Sequence, residues 1–139
     1  MNIILQFLIF FSIFFIIYFG MHFYVFRRMS YLLNIKRNVW FYVLMVLMAL
    51  SFPLASIIER MYASWLSRMA YIASSVWLGT LFLTFCALLI YEILKWIVKL
   101  DKRAAGITII IFIIAIVTYG VLNAMTITVR EIEIPIPNL

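Results

Sequence analysis

His22, Cys86 and Asp101 are each the single residue of their type in this chain, and the other carboxylates are Glu59, Glu92, Glu131 and Glu133. A metal centre needs several His, Cys or carboxylate ligands that converge, and one cysteine excludes both a disulfide framework and a CxxC site. His22 has no second histidine and no carboxylate nearby. It reads as an interfacial or bundle-facing imidazole bonded to a neighbour, with proton relay or metal ligation as the alternative. Cys86 reads as a small apolar packing residue, and Glu59-Arg60 as a local ion pair. The chain has no Gly-rich phosphate loop, no HExxH and no Ser/His/Asp set. No catalytic, cofactor-binding or metal-binding residue can be assigned, and the chain alone is not expected to catalyse a reaction.

The elements that carry these residues are membrane helices. The chain has 139 residues, of which 68% are hydrophobic and 12% charged, and its mean hydropathy is +1.20. A soluble domain has roughly 45–50% apolar and about 25% charged residues, so a water-facing globular domain is excluded. The net charge of +6 is expected to set membrane orientation, not to bind nucleic acid.

Charges divide the sequence into four apolar segments, at about 2–26, 39–58, 69–91 and 104–125. At ~1.5 Å per residue each crosses a hydrocarbon core ~30 Å thick. Helix is the open form that bonds its own backbone in lipid. The expected fold is an all-α bundle of four transmembrane helices within residues 1–126, joined by short loops. The first segment has a basic pair behind it, none ahead and no A-x-A-like cleavage site, so it reads as a retained anchor.

Eight basic residues fall on one side: Arg27, Arg28, Lys36, Arg37, Lys95, Lys99, Lys102 and Arg103. Three fall on the other: Arg60, Arg68 and Arg130. The positive-inside rule makes the eight cytoplasmic and both termini extracytoplasmic. Trp40 and Trp96 then lie near the cytoplasmic interface and Trp65 near the outer one, as interface anchors. Trp77 lies deeper, as a packing residue. Glu92, Lys95, Lys99 and Lys102 share a face at helical spacing. The third helix is read as continuing to about residue 100, either with its lysines snorkelling to anionic headgroups or as a solvated helix end.

Helix one is rich in phenylalanine, and much of its surface is expected to meet lipid. The pairs Ala70/Ser74, Ser75/Gly79 and Gly120/Ala124 have the four-residue spacing that lets helices approach. Pro53 removes a hydrogen bond to the carbonyl of Ala49 and predicts a kink, with Ser51 or Ser56 available to satisfy freed backbone groups. No ionisable group is read as lying deep in a span, which argues against a transporter or channel.

After the fourth segment, residues 127–139 alternate, with Ile132, Ile134 and Ile136 on one face and Glu131, Glu133 and Pro135 on the other. Period two with β-branched residues predicts a short strand-like tail, and its prolines place it at an edge. A lone strand is not stable in water. The tail is expected to pair with another protein, to open an extracytoplasmic domain, or to lie unstructured at the membrane surface.

Several stretches carry a resemblance. They are Gly20-Met-His-Phe-Tyr-Val-Phe-Arg-Arg, Ser51-Phe-Pro-Leu-Ala-Ser-Ile-Ile-Glu-Arg, Trp77-Leu-Gly-Thr-Leu-Phe and Tyr119-Gly-Val-Leu-Asn-Ala. The last is followed by Val129-Arg-Glu-Ile-Glu-Ile-Pro-Ile-Pro-Asn-Leu. Together they resemble the N-terminal membrane region of bacterial membrane-bound metallophosphoesterases of the calcineurin-like superfamily. The resemblance implies a phosphoesterase domain beyond Leu139, with two divalent metal ions that activate water toward phosphorus. It implies no catalytic residue within this chain. What it implies here is a multi-pass anchor in the bacterial inner membrane. The alternatives are a free-standing membrane protein that binds lipid or scaffolds a complex and, less favoured, a transport subunit.

Overall fold

A computed structural model describes residues 3–98 and 101–125. All the regular structure in them is helical: α1 (Ile3–Leu32), α2 (Val39–Met61), α3 (Trp65–Ile97) and α4 (Lys102–Met125). Each is long and apolar enough to cross a membrane. The tail residues Ile132, Ile134 and Ile136, together with Arg130 and Lys99, lie outside the described residues.

The helix ends differ from the apolar boundaries, for a local reason in each case. α1 does not stop at Arg27-Arg28 but runs to Leu32. Charge marks the edge of hydrocarbon, whereas a helix stops where its backbone bonding changes. Here Asn34 takes the left-handed conformation (φ 54°), and the Ile35 amide bonds back to the Ser30 carbonyl at 2.9 Å. That pairing is the mark of a Schellman-type terminus. α2 starts where the Asn38 side chain accepts from the Phe41 amide. α3 starts at Trp65, four residues before the apolar run. Ser64 and Ser67 cap it reciprocally, each side-chain oxygen accepting from the other's amide.

α3 ends at Ile97, short of residue 100. Lys102 opens α4 instead, so it does not extend the lysine face of α3. Asp101 caps α4 by accepting from the Ala104 amide at 3.1 Å. Pro53 lies within α2, which stays helical on both sides of it.

Cross-helix contacts fix the directions. Phe26 meets Phe41 at 5.8 Å between ring centroids and Tyr18 meets Ala49, so α2 runs antiparallel to α1. Tyr24 meets Phe85 at 5.5 Å and Arg28 meets Glu92, so α3 runs parallel to α1. Short connections then leave α4 antiparallel to α3. The α1 C-terminus, the α2 N-terminus, the α3 C-terminus and the α4 N-terminus therefore share one end, called the basic end below.

The core lies toward that end. Val25, Leu32, Leu81, Leu88, Tyr91, Ile109 and Ile113 form one buried cluster. By contrast, Ile3–Ile17 contains no buried residue, and its Phe7, Phe11 and Phe15 stack along the outside of α1. An apolar surface of this kind faces lipid. Trp40, Trp65 and Trp96 are 77%, 71% and 86% exposed from the bundle, with Trp65 at the opposite end from the other two.

Of the four glycines, the one at a close helix approach is not in a small-residue pair. A Cβ placed on Gly79 or Gly120 would have no atom within 4 Å. On Gly106 it would lie 3.0 Å from Leu32 Cβ and 3.2 Å from Leu33 Cδ2. α4 therefore crosses α1 at Gly106, where a missing side chain allows it.

Candidate functional site

Three polar arrangements and one crevice stand out. The first lies inside the bundle, around Pro53. Proline has no amide hydrogen, so the Ala49 carbonyl loses its helical partner. The Tyr18 hydroxyl of α1 donates to that carbonyl at 2.8 Å. Neither serine suggested by the sequence fills this role: Ser51 donates to Met48 instead, at 2.7 Å, and no bond joins Ser56 to Ala49. One turn along α1, His22 is 1% exposed and its Nδ1 lies 3.0 Å from the Tyr18 carbonyl. A carbonyl only accepts, so Nδ1 carries the proton and Nε2 is left as an acceptor. Nε2 is buried with no partner. His22 is thus a bundle-facing residue, as one reading held. It lies ten residues before the end of α1.

The second arrangement is at the basic end. Glu92 of α3 pairs with Arg28 of α1 and with Lys95 one turn along its own helix. The guanidinium of Arg28 also lies 5.2 Å from the Tyr31 ring, and Lys102 approaches the same ring at 4.9 Å. Arg27 stacks on Phe23 at 5.8 Å. The basic residues of this end therefore divide. Arg28 joins α1 to α3 through Glu92 and Lys95 pairs with Glu92 within α3, while Arg27 and Lys102 rest on aromatic rings.

The third arrangement is a polar bowl of about 390 Å³ beside the α1–α2 loop, with Arg37, Lys102, Arg103 and Asp101 in its wall. Among the described residues none of its three cations has a salt-bridge partner.

The crevice has a volume of about 470 Å³ and all four helices line it, through Phe26, Phe41, Leu44, Trp77, Leu81 and Ile113 among others. No Cα of α2 comes within 8 Å of one in α4. Leu44 and Ile114, on its two sides, are 48% and 60% exposed, so it opens between α2 and α4. Its hydroxyls are already bonded: Ser30 to Arg27, Thr80 to Val76 and Thr84 to Thr80. Its wall is therefore hydrocarbon, apart from the Trp77 indole Nε1, which is buried without a partner. Ser30 and Ile35 line both crevice and bowl, so the two adjoin.

Among the described residues no three His, Cys, Asp or Glu residues group in a way that would hold a metal. Cys86 is a free, half-buried thiol. Compared with protein-family models, curated proteins and solved structures, the chain gives no match to any of them.

Tyr18, Tyr31 and Gly106 were not singled out from the sequence. Each matters because of what a different helix brings beside it, and no local spacing carries that signal.

Proposed function

We propose that the bundle is a non-catalytic membrane anchor that positions an extracytoplasmic phosphoesterase domain following the tail. The observation that supports it is how the interior polar groups are used. Tyr18, Ser30, Ser51, Ser74, Thr80 and Thr84 all donate to backbone carbonyls. Such bonds stabilise helices and occupy these hydroxyls within the bundle's own backbone. The hydrolase part of the reading rests on the resemblance of the Gly120-Val-Leu-Asn-Ala step and of the tail to membrane-bound metallophosphoesterases.

In this reading the basic end faces the cytoplasm. Arg27, Arg28, Lys36, Arg37, Lys95, Lys102 and Arg103 lie at that end, against Arg60 and Arg68 at the other, and the positive-inside rule supplies the direction. The tail then leaves the membrane on the outer side of the bacterial inner membrane. Two divalent metal ions would belong to the attached domain and none to this bundle. Anchoring holds the domain where lipid-linked and envelope phosphoesters are concentrated.

Two measurements test this. An alkaline phosphatase fused after Leu139 is expected to be active, and a β-galactosidase at the same point inactive; the reverse pattern overturns the orientation. The reading frame past Leu139 is expected to encode an Asp-x-His metal motif; a stop codon there overturns the anchor reading. The crevice would then favour a free-standing integral membrane protein that binds lipid.

A further inference from the structure

We propose that the crevice between α2 and α4 holds an acyl chain of an anionic phospholipid, with the lipid phosphate in the polar bowl at its mouth. The site does not depend on any attached domain, since every residue in it belongs to the bundle.

The chain half follows from the lining. With Ser30, Thr80 and Thr84 bonded to their own helices, the wall offers contact surface and almost no hydrogen bonds. A polar solute would lose its hydration there without compensation. A hydrocarbon chain would not, and a crevice of about 470 Å³ is within the roughly 300–1,000 Å³ typical of ligand sites. The opening past Leu44 and Ile114 faces the lipid around the bundle.

The headgroup half follows from charge. Arg37, Lys102 and Arg103 meet one carboxylate in the bowl, that of Asp101, and it is engaged in capping α4. The contrast with Arg28 and Lys95 is informative. Those two cations are both paired with Glu92, while among the described residues the three in the bowl have no salt-bridge partner and outnumber its one carboxylate. Basic groups at the membrane surface attract anionic headgroups. Ser30 and Ile35 line both cavities, so the bowl adjoins the crevice and the phosphate and the chain of one molecule would lie side by side in them.

Trp77 lines the crevice and can report on it. The full chain carrying Trp40→Phe, Trp65→Phe and Trp96→Phe keeps Trp77 as its one indole, and the three replaced residues are all exposed. It is reconstituted in vesicles containing either phosphatidylglycerol or phosphatidylcholine with mid-chain bromines. Brominated phosphatidylglycerol is expected to half-quench Trp77 at about a tenfold lower mole fraction than brominated phosphatidylcholine. Adding Arg37→Gln, Lys102→Gln and Arg103→Gln is expected to bring the two curves together. Arg60→Gln with Arg68→Gln, at the opposite end, is expected to leave them apart. Equal half-quenching by the two lipids in the starting protein overturns the proposal. So does a phosphatidylglycerol preference that survives the triple glutamine change.

Discussion

The Tyr18 hydroxyl donates to the Ala49 carbonyl, the same carbonyl that Pro53 leaves without its helical amide. A defect in the backbone of α2 is thereby repaired from α1, and the repair ties the two helices together. Removing one partner of a buried hydrogen bond costs about 1–3 kcal/mol. Tyr18→Phe is therefore expected to lower thermal stability in detergent by that amount. Pro53→Ala restores an amide to face Ala49. In that background Tyr18→Phe is expected to cost much less, and a double-mutant cycle measures the coupling. Equal costs in both backgrounds would show that the hydroxyl does not serve the proline.

Glycine substitutions should differ in sign. Gly106→Ala places a methyl group against Leu32 Cβ at 3.0 Å, and Leu32 is almost wholly buried. Overpacking costs about 1–3 kcal/mol, more than the roughly 1 kcal/mol that alanine gains over glycine in a helix. A lower melting temperature is expected. Gly79→Ala and Gly120→Ala meet no atom within 4 Å and are expected to hold or raise it.

Glu92→Gln removes the acidic partner of both Arg28 and Lys95. Half-exposed ion pairs are worth little, but two cations left side by side on α1 and α3 add repulsion. A loss of about 1 kcal/mol is expected, reduced at high salt. Chemical denaturation at low and high ionic strength reads both the size and its screening.

Single cysteines test the direction of the bundle. In a Cys86→Ala background, Ala63→Cys in the α2–α3 loop is expected to react with a membrane-impermeant maleimide in intact cells. Lys36→Cys is expected to react only after permeabilisation. The opposite pattern would place the basic end outside.

Much of the architecture is legible in the sequence, because the cost of an unbonded backbone in lipid leaves long apolar segments one solution. The four helices of the described residues, and the gathering of Arg28, Arg37, Lys95 and Lys102 at one end, follow from spacing alone. Exact ends do not. α1 passes Arg27 and Arg28 because Glu92 and the Phe23 and Tyr31 rings receive them, and it stops only where Asn34 turns the backbone. Packing is legible least. A helix that is apolar all round has no polar face to show which side meets a neighbour. Ser75/Gly79 has the familiar spacing yet a Cβ on Gly79 would meet no atom within 4 Å, while Gly106 has no small partner four residues away in the expected set and is the glycine where a Cβ would crowd another helix. The crevice is hidden for the same reason, since Phe41, Trp77 and Ile113 become one wall only after three helices converge.

The separation of α2 from α4 also bears on motion. The three-residue link Tyr62–Ser64 holds α2 close to α3, and α4 is pinned against α1 at Gly106. Between α2 and α4 there is no close backbone approach to pull apart. If a hydrocarbon tail occupies that slot, the way in is sideways from the bilayer, along the one side of the bundle where two helices do not approach each other's backbone.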